Sequence, residues 1–471
     1  MPAHRVSAPD IDFTALRREL DLPEEFPTEV LAEAEQAAAA PPRPETDLTD
    51  IPFVTIDPIG ARDLDQAMHL RANGSGYRIH YAIADVAGFV RPGGALDAEA
   101  QRRGQTQYFP DARVPLHPTV LSEGAASLLP GETRPAVVWT IDLDDTGEAV
   151  AVDVRRALVR STAQLDYVGV QADLDAGRLP EPIAPLAEIG RLRLDRAARR
   201  GAIDLNVPDQ EVQEVAAGGW KLTFRAPPVV EEYNAHISLL TGECAAKIML
   251  DGGIGLLRTL PPADPRDVER LRAAAPALGV DWPDGAAPGA VIAAVDPSDP
   301  RGAAFLDLAA SLLRGAAYTP FDGAPPEQPL HSAVASAYAH VTAPLRRLAD
   351  RYATEICLAL NAGADMPEWA RAALPGLPAA MARSDKRSHE AERAVIDLAE
   401  ATVLAGRTGE LFDAAVVELN GDGATVVLDD PAVRAKCTGT GFHLGTRVKV
   451  RLAQVVTSTR KVRFELVGRR V

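Results

Sequence analysis

Three aspartates stand close together in the segment TIDPIGARDLDQA, which covers residues 55–67. Asp57, Asp63 and Asp65 lie within nine residues of one another, at the end of an apolar run. Carboxylates held this close repel one another, and each would prefer a raised pKa. A divalent cation removes that cost, and hard oxygen ligands suit Mg²⁺ or Mn²⁺. The spacing indicates a metal site for phosphoryl chemistry. A solvated acidic turn, with Asp as the turn former, is the alternative.

Two adjacent arginines form the second chemical signal. Arg346 and Arg347 lie in HVTAPLRRLADR, residues 340–351, shortly after Pro344. Because the residue before a proline is extended and a proline often opens a helix, both arginines should fall near a helix start. There a guanidinium can bind a phosphate with its planar fork. The alternative, which spacing alone favours, is ion pairing with Asp350, three or four residues further on.

Two other patterns carry less chemistry. DIDFT at 10–14 has the spacing of a phosphatase nucleophile, but that nucleophile needs a buried strand before it, and the short HRVSAP precedes it here. Asp12 is therefore predicted to cap a helix. In the last part of the chain, His443 and Phe464 could stack on bases. Phe464 alternates with charged neighbours, which favours a core position, and His443 is then an exposed residue.

The aspartates follow a predicted strand. FVTID (53–57) and YRIHYAIADVAGFV (77–90) are rich in β-forming residues, and the turn signal NGSG (73–76) lies between them. A second strand–turn–strand unit is predicted over 137–159. Residues 160–407 are dominated by helical periodicity. We therefore expect one mixed helix-and-strand domain of about 350 residues.

The two ends of the chain differ from this middle. Residues 12–39 predict two short helices, the second capped by Thr28, before the proline-rich linker AAAAPPRPE at 37–45. Residues 408–471 predict four or five short strands separated by turns, which is typical of a small OB-type barrel. This last segment has ten Lys/Arg against seven Asp/Glu, whereas the whole chain of 471 residues has a net charge of −17. A basic tail on an acidic body suggests that the tail contacts an anionic partner.

Composition excludes several classes of protein. The chain is 46% hydrophobic and 24% charged, which is typical of a globular protein rather than a disordered one. No apolar run reaches the length of a membrane helix, and the first residues do not resemble a secretory signal. The three cysteines are too far apart for a CxxC zinc site and are predicted to be buried and inert. They indicate a reducing cytoplasm. They are Cys244, Cys357 and Cys437.

Six blocks in order resemble the ribonuclease II / RNase R family, whose catalytic domain is called RNB. The tail resembles the S1 domain, the OB-type RNA binder that ends these enzymes. The resemblance implies a hydrolytic 3′→5′ exoribonuclease that draws single-stranded RNA into a channel and releases nucleoside 5′-monophosphates. The blocks are FVTIDPIGARDLDQA (53–67), YAIADVAGFV (81–90), RGQTQYFPDARVPLHPTVLSEGAASLLPGETRPA (103–136), RGAIDLNVPDQEV (200–212), YAHVTAPLRRLAD (338–350) and EAERAV (390–395).

The resemblance also implies roles for single residues. Asp57, Asp63 and Asp65 would surround Mg²⁺, with Mn²⁺ as a possible substitute, and Arg346 would lie beside the scissile phosphate. Tyr108 would stack on the 3′-terminal base, which any sequence allows. The other residues implied in RNA binding are Tyr167, near the terminal nucleotides, Leu205, Arg347, and Glu392, near the path of the departing nucleotide.

Three features depart from the family pattern. Gln66 stands where the family has a fourth aspartate; its carbonyl oxygen could still bind the metal, but without charge. Leu205 stands where the family tends to have a stacking Phe, and Leu offers no π-face. About 45 residues with helical character precede the RNB-like region, where the family usually has two cold-shock OB domains. A more open channel mouth and attack on structured RNA are therefore expected.

The predicted fold class is α+β: an RNB-type catalytic domain of mixed sheet and helix, an S1-like OB β-barrel, and a small helical N-terminal module. The predicted boundaries are 1–45 for this module, possibly helix-turn-helix-like, 46–407 for the catalytic domain and 408–471 for the S1-like domain. We expect a cytoplasmic monomer that binds no membrane and no DNA. The alternatives are a catalytically weakened RNA-binding protein on an RNB scaffold, for which Gln66 speaks, and a small-molecule phosphohydrolase, which would not need the tail.

Overall fold

The computed structural model describes residues 11–469, apart from 206, 208, 215–218 and 422. Its helices and strands confirm the predicted α+β class. No helix in the described part of the chain is long and apolar enough to cross a membrane. The α-helices are α1 Phe13–Glu19, α2 Thr28–Ala39, α3 Ala95–Arg103, α4 Tyr167–Asp175, α5 Leu186–Arg200, α6 Val229–Gly252, α7 Pro265–Ala274, α8 Pro288–Ala293, α9 Pro300–Ala309, α10 Leu348–Ala362, α11 Glu368–Ala373 and α12 Leu377–Val403.

The strands form two closed barrels and several two-stranded pairs. The first barrel has the order β1-β2-β3-β6-β7, and the second has the order β14-β15-β16-β18-β17. The strands are β1 Phe53–Asp57, β2 Gln66–Asn73, β3 Gly76–Ala84, β4 Gln107–Tyr108, β5 Arg113–Val114, β6 Thr133–Leu143, β7 Ala149–Asp166, β8 Asp209–Glu214, β9 Trp220–Arg225, β10 Ile254–Thr259, β11 Ala317–Asp322, β12 Leu330–His331, β13 Ser336–Ala337, β14 Leu411–Asn420, β15 Gly423–Leu428, β16 Arg434–Thr438, β17 Arg447–Val456 and β18 Lys461–Arg469.

The first barrel closes where β1 runs parallel to β7, and its other neighbouring strands are antiparallel. The β2–β3 turn lies at the predicted place, with Asn73 opposite Gly76. A Cβ on Gly76 would lie 1.9 Å from the carbonyl oxygen of Leu143, so this close approach of two strands requires glycine. β1 and the stretches 81–84 of β3 and 135–139 of β6 are buried on both faces, which explains the apolar runs there, whereas β7 exposes residues along its length.

The second barrel, with five strands, confirms the small OB-type barrel predicted for the tail, and Phe464 is fully buried in it. Its interior continues into apolar side chains from α1, β9 and α12. We call this continuous set the junction core. Its main members are Phe13, Leu16, Trp220, Leu222, Val395, Val403, Phe412 and Phe464. The predicted burial of the three cysteines is also confirmed, and all three are free thiols.

The two N-terminal helices pack against different parts of the protein. Asp12 caps α1, as predicted, and its side chain accepts hydrogen bonds from the next turn. Helix α1 contributes to the junction core, whereas α2 packs on α3 beside the first barrel. The prediction that Thr28 caps α2 is wrong: the helix already includes Thr28, and Pro27 precedes it without a side-chain cap. The domain boundaries proposed from sequence stay a prediction.

Helical periodicity over 160–407 hid several strands. β7 extends to Asp166, and the antiparallel pairs β8–β9 and β10–β11 lie inside this stretch. The strands β8 to β11 have six residues each and lie among longer helices, so their period-2 signal is lost in a sequence window long enough to detect a helix.

Candidate active site

The carboxyl end of β1 begins the candidate active site. Asp57 is the last residue of this strand and lies opposite Asp166 of β7. The loop that follows is fixed from the inside. The Ser127 hydroxyl accepts a hydrogen bond from the Leu64 backbone N–H at 3.0 Å and donates to the Arg62 carbonyl at 2.6 Å. Leu64 itself is fully buried. The loop therefore delivers its last residues to the site in a defined position.

Asp57 and Asp65 each hold a buried carboxylate oxygen without a hydrogen-bond partner in the structure. These atoms are Oδ2 of Asp57 and Oδ2 of Asp65. The other Asp65 oxygen accepts a hydrogen bond from the Leu345 backbone N–H at 2.7 Å. Burial raises the pKa of Asp57 to about 6, although the nearby charge of Arg346 opposes this shift. Burial also raises the pKa of Asp65 well above its ordinary value. Two bare, buried carboxylate oxygens call for a cation.

Arg346 reaches this pair from a second loop. Its Nε lies 3.5 Å from Oδ2 of Asp65, while about half of the side chain is exposed. The backbone is held by residues 104–106: the Thr106 N–H donates to the Arg346 carbonyl at 3.0 Å, and the Leu348 N–H donates to the Gly104 carbonyl at 3.0 Å. The guanidinium is therefore anchored at one end and open to a phosphate at the other.

Arg347 is placed differently from its neighbour. Its guanidinium makes two bonds to Asp350, with Nε to Oδ1 at 2.5 Å and Nη2 to Oδ2 at 2.8 Å. Asp350 is fully buried and also accepts a hydrogen bond from the Ala343 N–H at 2.7 Å. The sequence allowed either arginine to bind a phosphate or to pair with Asp350. In the structure Arg346 faces the aspartates, and Arg347 pairs with Asp350. A contact between Arg347 and RNA stays a prediction.

Asp63 is bound on both oxygens by the short hairpin of β4 and β5. The Tyr108 hydroxyl donates to Oδ2 at 2.7 Å, and Nη1 of Arg113 donates to Oδ1 at 2.6 Å. Tyr108 and Arg113 lie opposite each other in the hairpin. Arg113 was missed by the sequence analysis. Its place five residues after Tyr108, across the turn-forming PDA, is the spacing that could have revealed it.

The residues fit a divalent cation, although two carboxylates rather than three face the place where it would bind. Within the described ranges, no group of three or more His, Cys, Asp or Glu side chains is arranged to hold a metal. Mg²⁺ typically binds proteins through one or two carboxylates and completes its shell with water and substrate phosphate. The bare oxygens of Asp57 and Asp65 meet that need. Asp63 as a ligand stays a prediction.

Gln66 joins the two loops of the site. It begins β2, directly after Asp65, and its side-chain amide donates a hydrogen bond to the backbone carbonyl of Thr342. An ionised aspartate, which the resemblance implies for the family at this position, has no proton to donate. The departure from the family pattern therefore gives this chain a link between the aspartate loop and the loop of Arg346. Metal binding by the Gln66 carbonyl stays a prediction.

The remaining predicted residues lie at different distances from this centre. Tyr167 begins α4 directly after β7, accepts a hydrogen bond from Asn234 at 3.1 Å, and lies close enough to Asp57 for the two to interact electrostatically. Burial raises the pKa of Tyr167 to about 12. Leu205 is half-buried against an apolar cluster around α7 and α9. Glu392 is exposed on α12. RNA binding by these residues stays a prediction.

A cavity of about 1280 Å³ leads from this centre towards the second barrel. Tyr108 and Phe109 line it together with the exposed side of α12, including Glu392. The strand β8 and strands of the second barrel, with Arg434 and Lys436, complete the lining. Because the Tyr108 hydroxyl also binds Asp63, the cavity and the aspartate site meet at this side chain.

Glu400 at the wall of the cavity makes stability depend on pH. It is 5% exposed, and its Oε1 accepts hydrogen bonds from the Arg434 N–H at 2.7 Å and from Gln210 at 2.8 Å. Burial raises the pKa of Glu400 from 4.5 to about 7. Between these two values the folded chain keeps a proton that the unfolded chain releases. Stability should therefore fall as the pH rises through this window and stay level above it.

Glu400→Gln keeps an accepting oxygen and removes this titration. We expect the variant to match the parent near pH 4.5 and to exceed its unfolding free energy near pH 8 by about 3 kcal/mol, as measured by urea denaturation. Glu410→Gln, which changes an exposed glutamate paired with Arg407, is the matched control and should keep the parent's slope. An unchanged slope in Glu400→Gln would assign the pH dependence to other groups.

Comparison with known protein families identifies the family of this chain. The RNB domain model matches residues 45–360, and the model for the RNase II-type exonuclease C-terminal S1 domain matches residues 410–467. The chain therefore belongs to the RNB family of 3′→5′ exoribonucleases, whose nucleases generally depend on divalent metal ions. This confirms the resemblance found in the sequence.

Named relatives agree with the family. The chain is 28% identical to Ribonuclease R of Aquifex aeolicus over 96% of its own length and 69% of that protein. It is 29% identical to Ribonuclease R of Escherichia coli over 90% of its own length, and it spans 57% of that relative. Among solved structures, the apo form of Mycoplasma genitalium RNase R matches with a TM-score of 0.86 at 20% identity, over 97% of this chain and 78% of that one.

Proposed function

We propose that this chain is a hydrolytic 3′→5′ exoribonuclease that degrades single-stranded RNA to nucleoside 5′-monophosphates, with Mg²⁺ as its metal and Mn²⁺ as a possible substitute. One observation carries the proposal: the bare oxygens of Asp57 and Asp65 lie beside the half-exposed Arg346, at the end of a cavity that Tyr108 lines. Carboxylates that can hold a cation, a half-exposed guanidinium and an aromatic ring are the parts that hydrolysis at an RNA end needs.

The residues divide the chemistry among them. Asp57 and Asp65 hold the cation, which when bound lowers the pKa of a water and neutralises phosphate charge. We expect Asp65 also to orient the attacking water. Arg346 stabilises the charge that develops on the non-bridging phosphate oxygens. Tyr108 stacks on the terminal base without selecting its identity, as a degradative enzyme requires.

The route of the RNA follows the cavity, in our proposal. The 3′ end enters past the second barrel and reaches the aspartates at Tyr108. Lys436 on β16 and Arg463 on β18 lie opposite each other in register, both exposed, and neither has an ion-pair partner among the described residues. Such a pair provides phosphate contacts at the entrance.

Replacing both entrance cations tests this route. The double variant Lys436→Ser, Arg463→Ser should bind single-stranded RNA more weakly. Its fall of log K with log salt should be less steep by about 1.4, since each phosphate contact contributes about 0.7 to the slope. Filter binding over a salt series gives the slope. Lys247→Ser, at an exposed lysine on α6, should leave it unchanged. The same slope in the double variant as in the parent would show that Lys436 and Arg463 contact no phosphate.

The activity itself is tested with a 5′-labelled single-stranded oligoribonucleotide. Shortening from the 3′ end to a small labelled core with Mg²⁺ or Mn²⁺, and no cleavage with EDTA, is the expected result on a denaturing gel. Cleavage that persists in EDTA, or internal fragments, would overturn the proposal. The ratio of the Mg²⁺ and Mn²⁺ rates reports how Gln66 affects the site.

Two finer points belong to the proposal. The first is action on structured RNA: the RNase R of Mycoplasma genitalium, a structural neighbour with a TM-score of 0.83, has been solved in complex with double-stranded RNA. A stem with a 3′ overhang tests this point, and a stall several nucleotides before the stem would contradict it. The second is a monomer, which the family resemblance implies, in a reducing cytoplasm, which the three free, buried cysteines support.

A non-catalytic RNA-binding protein is the alternative. Gln66 in place of an aspartate favours it, and yeast Ssd1, a pseudonuclease, shares the fold with a TM-score of 0.69. The preserved pair of Asp57 and Asp65 beside Arg346 opposes it. RNA that shifts on a native gel but stays intact with either metal would establish this alternative.

A further inference from the structure

Asp63 differs from the other two aspartates of the site in being fully engaged. Tyr108 and Arg113 occupy one oxygen each, at 2.7 and 2.6 Å, whereas Asp57 and Asp65 each keep a bare oxygen. Arg113 and Tyr108 together bring a positive charge and two hydrogen-bond donors to this carboxylate, which is close enough to Asp57 and Asp65 to interact electrostatically with both. A carboxylate neutralised in this way binds a cation more weakly than a free one.

The two partners of Asp63 differ in how firmly they are held. Arg113 also binds Glu123, with 3.1 Å between its Nε and the carboxylate, so it is fixed from both sides. Tyr108 is 49% exposed and lines the cavity. Its ring is the surface on which the terminal base stacks in the proposed function. The Tyr108 hydroxyl is therefore the partner that an arriving RNA end can displace.

We propose that Asp63 is a ligand held in reserve: the Tyr108 hydroxyl blocks it until the 3′-terminal nucleotide stacks on the Tyr108 ring, and the freed oxygen then strengthens cation binding. Tyr108 and Arg113 are positioning residues in this device. Because binding energies are reciprocal, RNA must tighten cation binding by the factor by which the cation tightens RNA binding. The inference rests on the proposed function, since it needs RNA at the cavity.

Tyr108→Phe isolates the hydroxyl and keeps the stacking ring. The probe is Mn²⁺, whose free fraction is measured by electron paramagnetic resonance, with and without a 2′-O-methylated single-stranded oligonucleotide that resists hydrolysis. In the parent protein the oligonucleotide should lower the Kd of Mn²⁺ by roughly tenfold, the value of one hydrogen bond to a charged group. In Tyr108→Phe, the Kd without oligonucleotide should already be roughly tenfold lower, and the oligonucleotide should add little.

Two further variants assign the effect to Asp63. Asp63→Asn added to Tyr108→Phe should cancel the gain in Mn²⁺ affinity. Arg113→Gln should also tighten Mn²⁺ binding without RNA, because it removes the neutralising charge. Tyr77→Phe is the matched control. Tyr77 lies at the start of β3 and its hydroxyl donates to Glu188, whereas Gln66 of the site pairs with the other end of this strand. Loss of the Tyr77 hydroxyl should leave Mn²⁺ binding, and its coupling to the oligonucleotide, as in the parent.

The outcomes separate the inference from the proposed function. Unchanged or weaker Mn²⁺ binding in both Tyr108→Phe and Arg113→Gln would overturn the inference and leave Asp63 with a structural role. Normal oligonucleotide binding in the parent without any effect on the Kd of Mn²⁺ would also overturn it, while the exoribonuclease proposal would stand. Failure of the oligonucleotide to bind the parent at all would overturn the proposed function itself.

Discussion

Replacing Asp65 with asparagine is expected to abolish RNA cleavage while RNA binding persists. Asparagine keeps the oxygen that accepts the hydrogen bond from the Leu345 N–H, so the two loops should stay joined. It puts a neutral NH₂ group, which cannot bind a cation, in the place of the Oδ2 atom that lies 3.5 Å from Nε of Arg346. Because metal catalysis supplies several kcal/mol to such reactions, we expect the rate to fall by at least about a thousandfold.

The measurement compares turnover with binding. Single-turnover cleavage of a labelled oligoribonucleotide gives the rate, and a native gel gives RNA affinity. Asp47→Asn, which changes an exposed aspartate bonded only to Thr49 among the described contacts, should cleave at the parent's rate. The melting temperature of metal-free Asp65→Asn should equal or exceed that of the parent, because a buried carboxylate with a raised pKa is replaced by a neutral group. Normal turnover would remove Asp65 from the mechanism.

Replacing the two adjacent arginines should give opposite results. Arg346→Met should lower the cleavage rate by about a hundredfold or more, since a free guanidinium beside the reacting phosphate is lost. Its stability should change by less than about 1 kcal/mol, because the side chain is half exposed. Arg347→Met should instead lower the unfolding free energy by about 3 kcal/mol, since it leaves the buried Asp350 without its cation.

Each arginine is the control for the other. Urea denaturation measures stability, and single-turnover cleavage at a temperature where both variants are folded measures the rate. A large loss of stability in Arg346→Met, or a folded Arg347→Met that cleaves as slowly as Arg346→Met, would contradict the division of roles. In the second case Arg347 would contact the RNA, as the family resemblance implied.

The sequence identified the site residues better than it described their contacts. Spacing brought Asp57 and Asp65 to attention, and they do lie together beside Arg346. Spacing could not distinguish the roles of Arg346 and Arg347. Asp350 follows Arg346 by four residues and Arg347 by three, and either spacing allows an ion pair on a helix. The partners of Asp63 were also out of reach, since Tyr108 and Arg113 approach it from a hairpin some 45 to 50 residues away.

The fold shows the same limit. The β2–β3 turn at NGSG was predictable because turn chemistry is local. Closure of the first barrel was not, since β1 meets β7 across more than a hundred residues. The short strand β16 alternates polar and apolar residues, but RAKCT has only five residues and no large apolar side chain, so its pairing with β15 and β18 defines it as a strand.

The junction core determines which parts of the protein unfold together. Side chains from the first helix, from β9, from α12 and from the second barrel share one apolar interior, and Glu19 on α1 makes a two-pronged ion pair with Arg460 of that barrel. Units that share a core unfold together, so calorimetry should record a joint transition for the barrel and α12 instead of a separate early melting of the tail. Removing residues 408–471 would expose this apolar interior to solvent. The remaining fragment should self-associate, so it would not report what the barrel contributes to RNA binding.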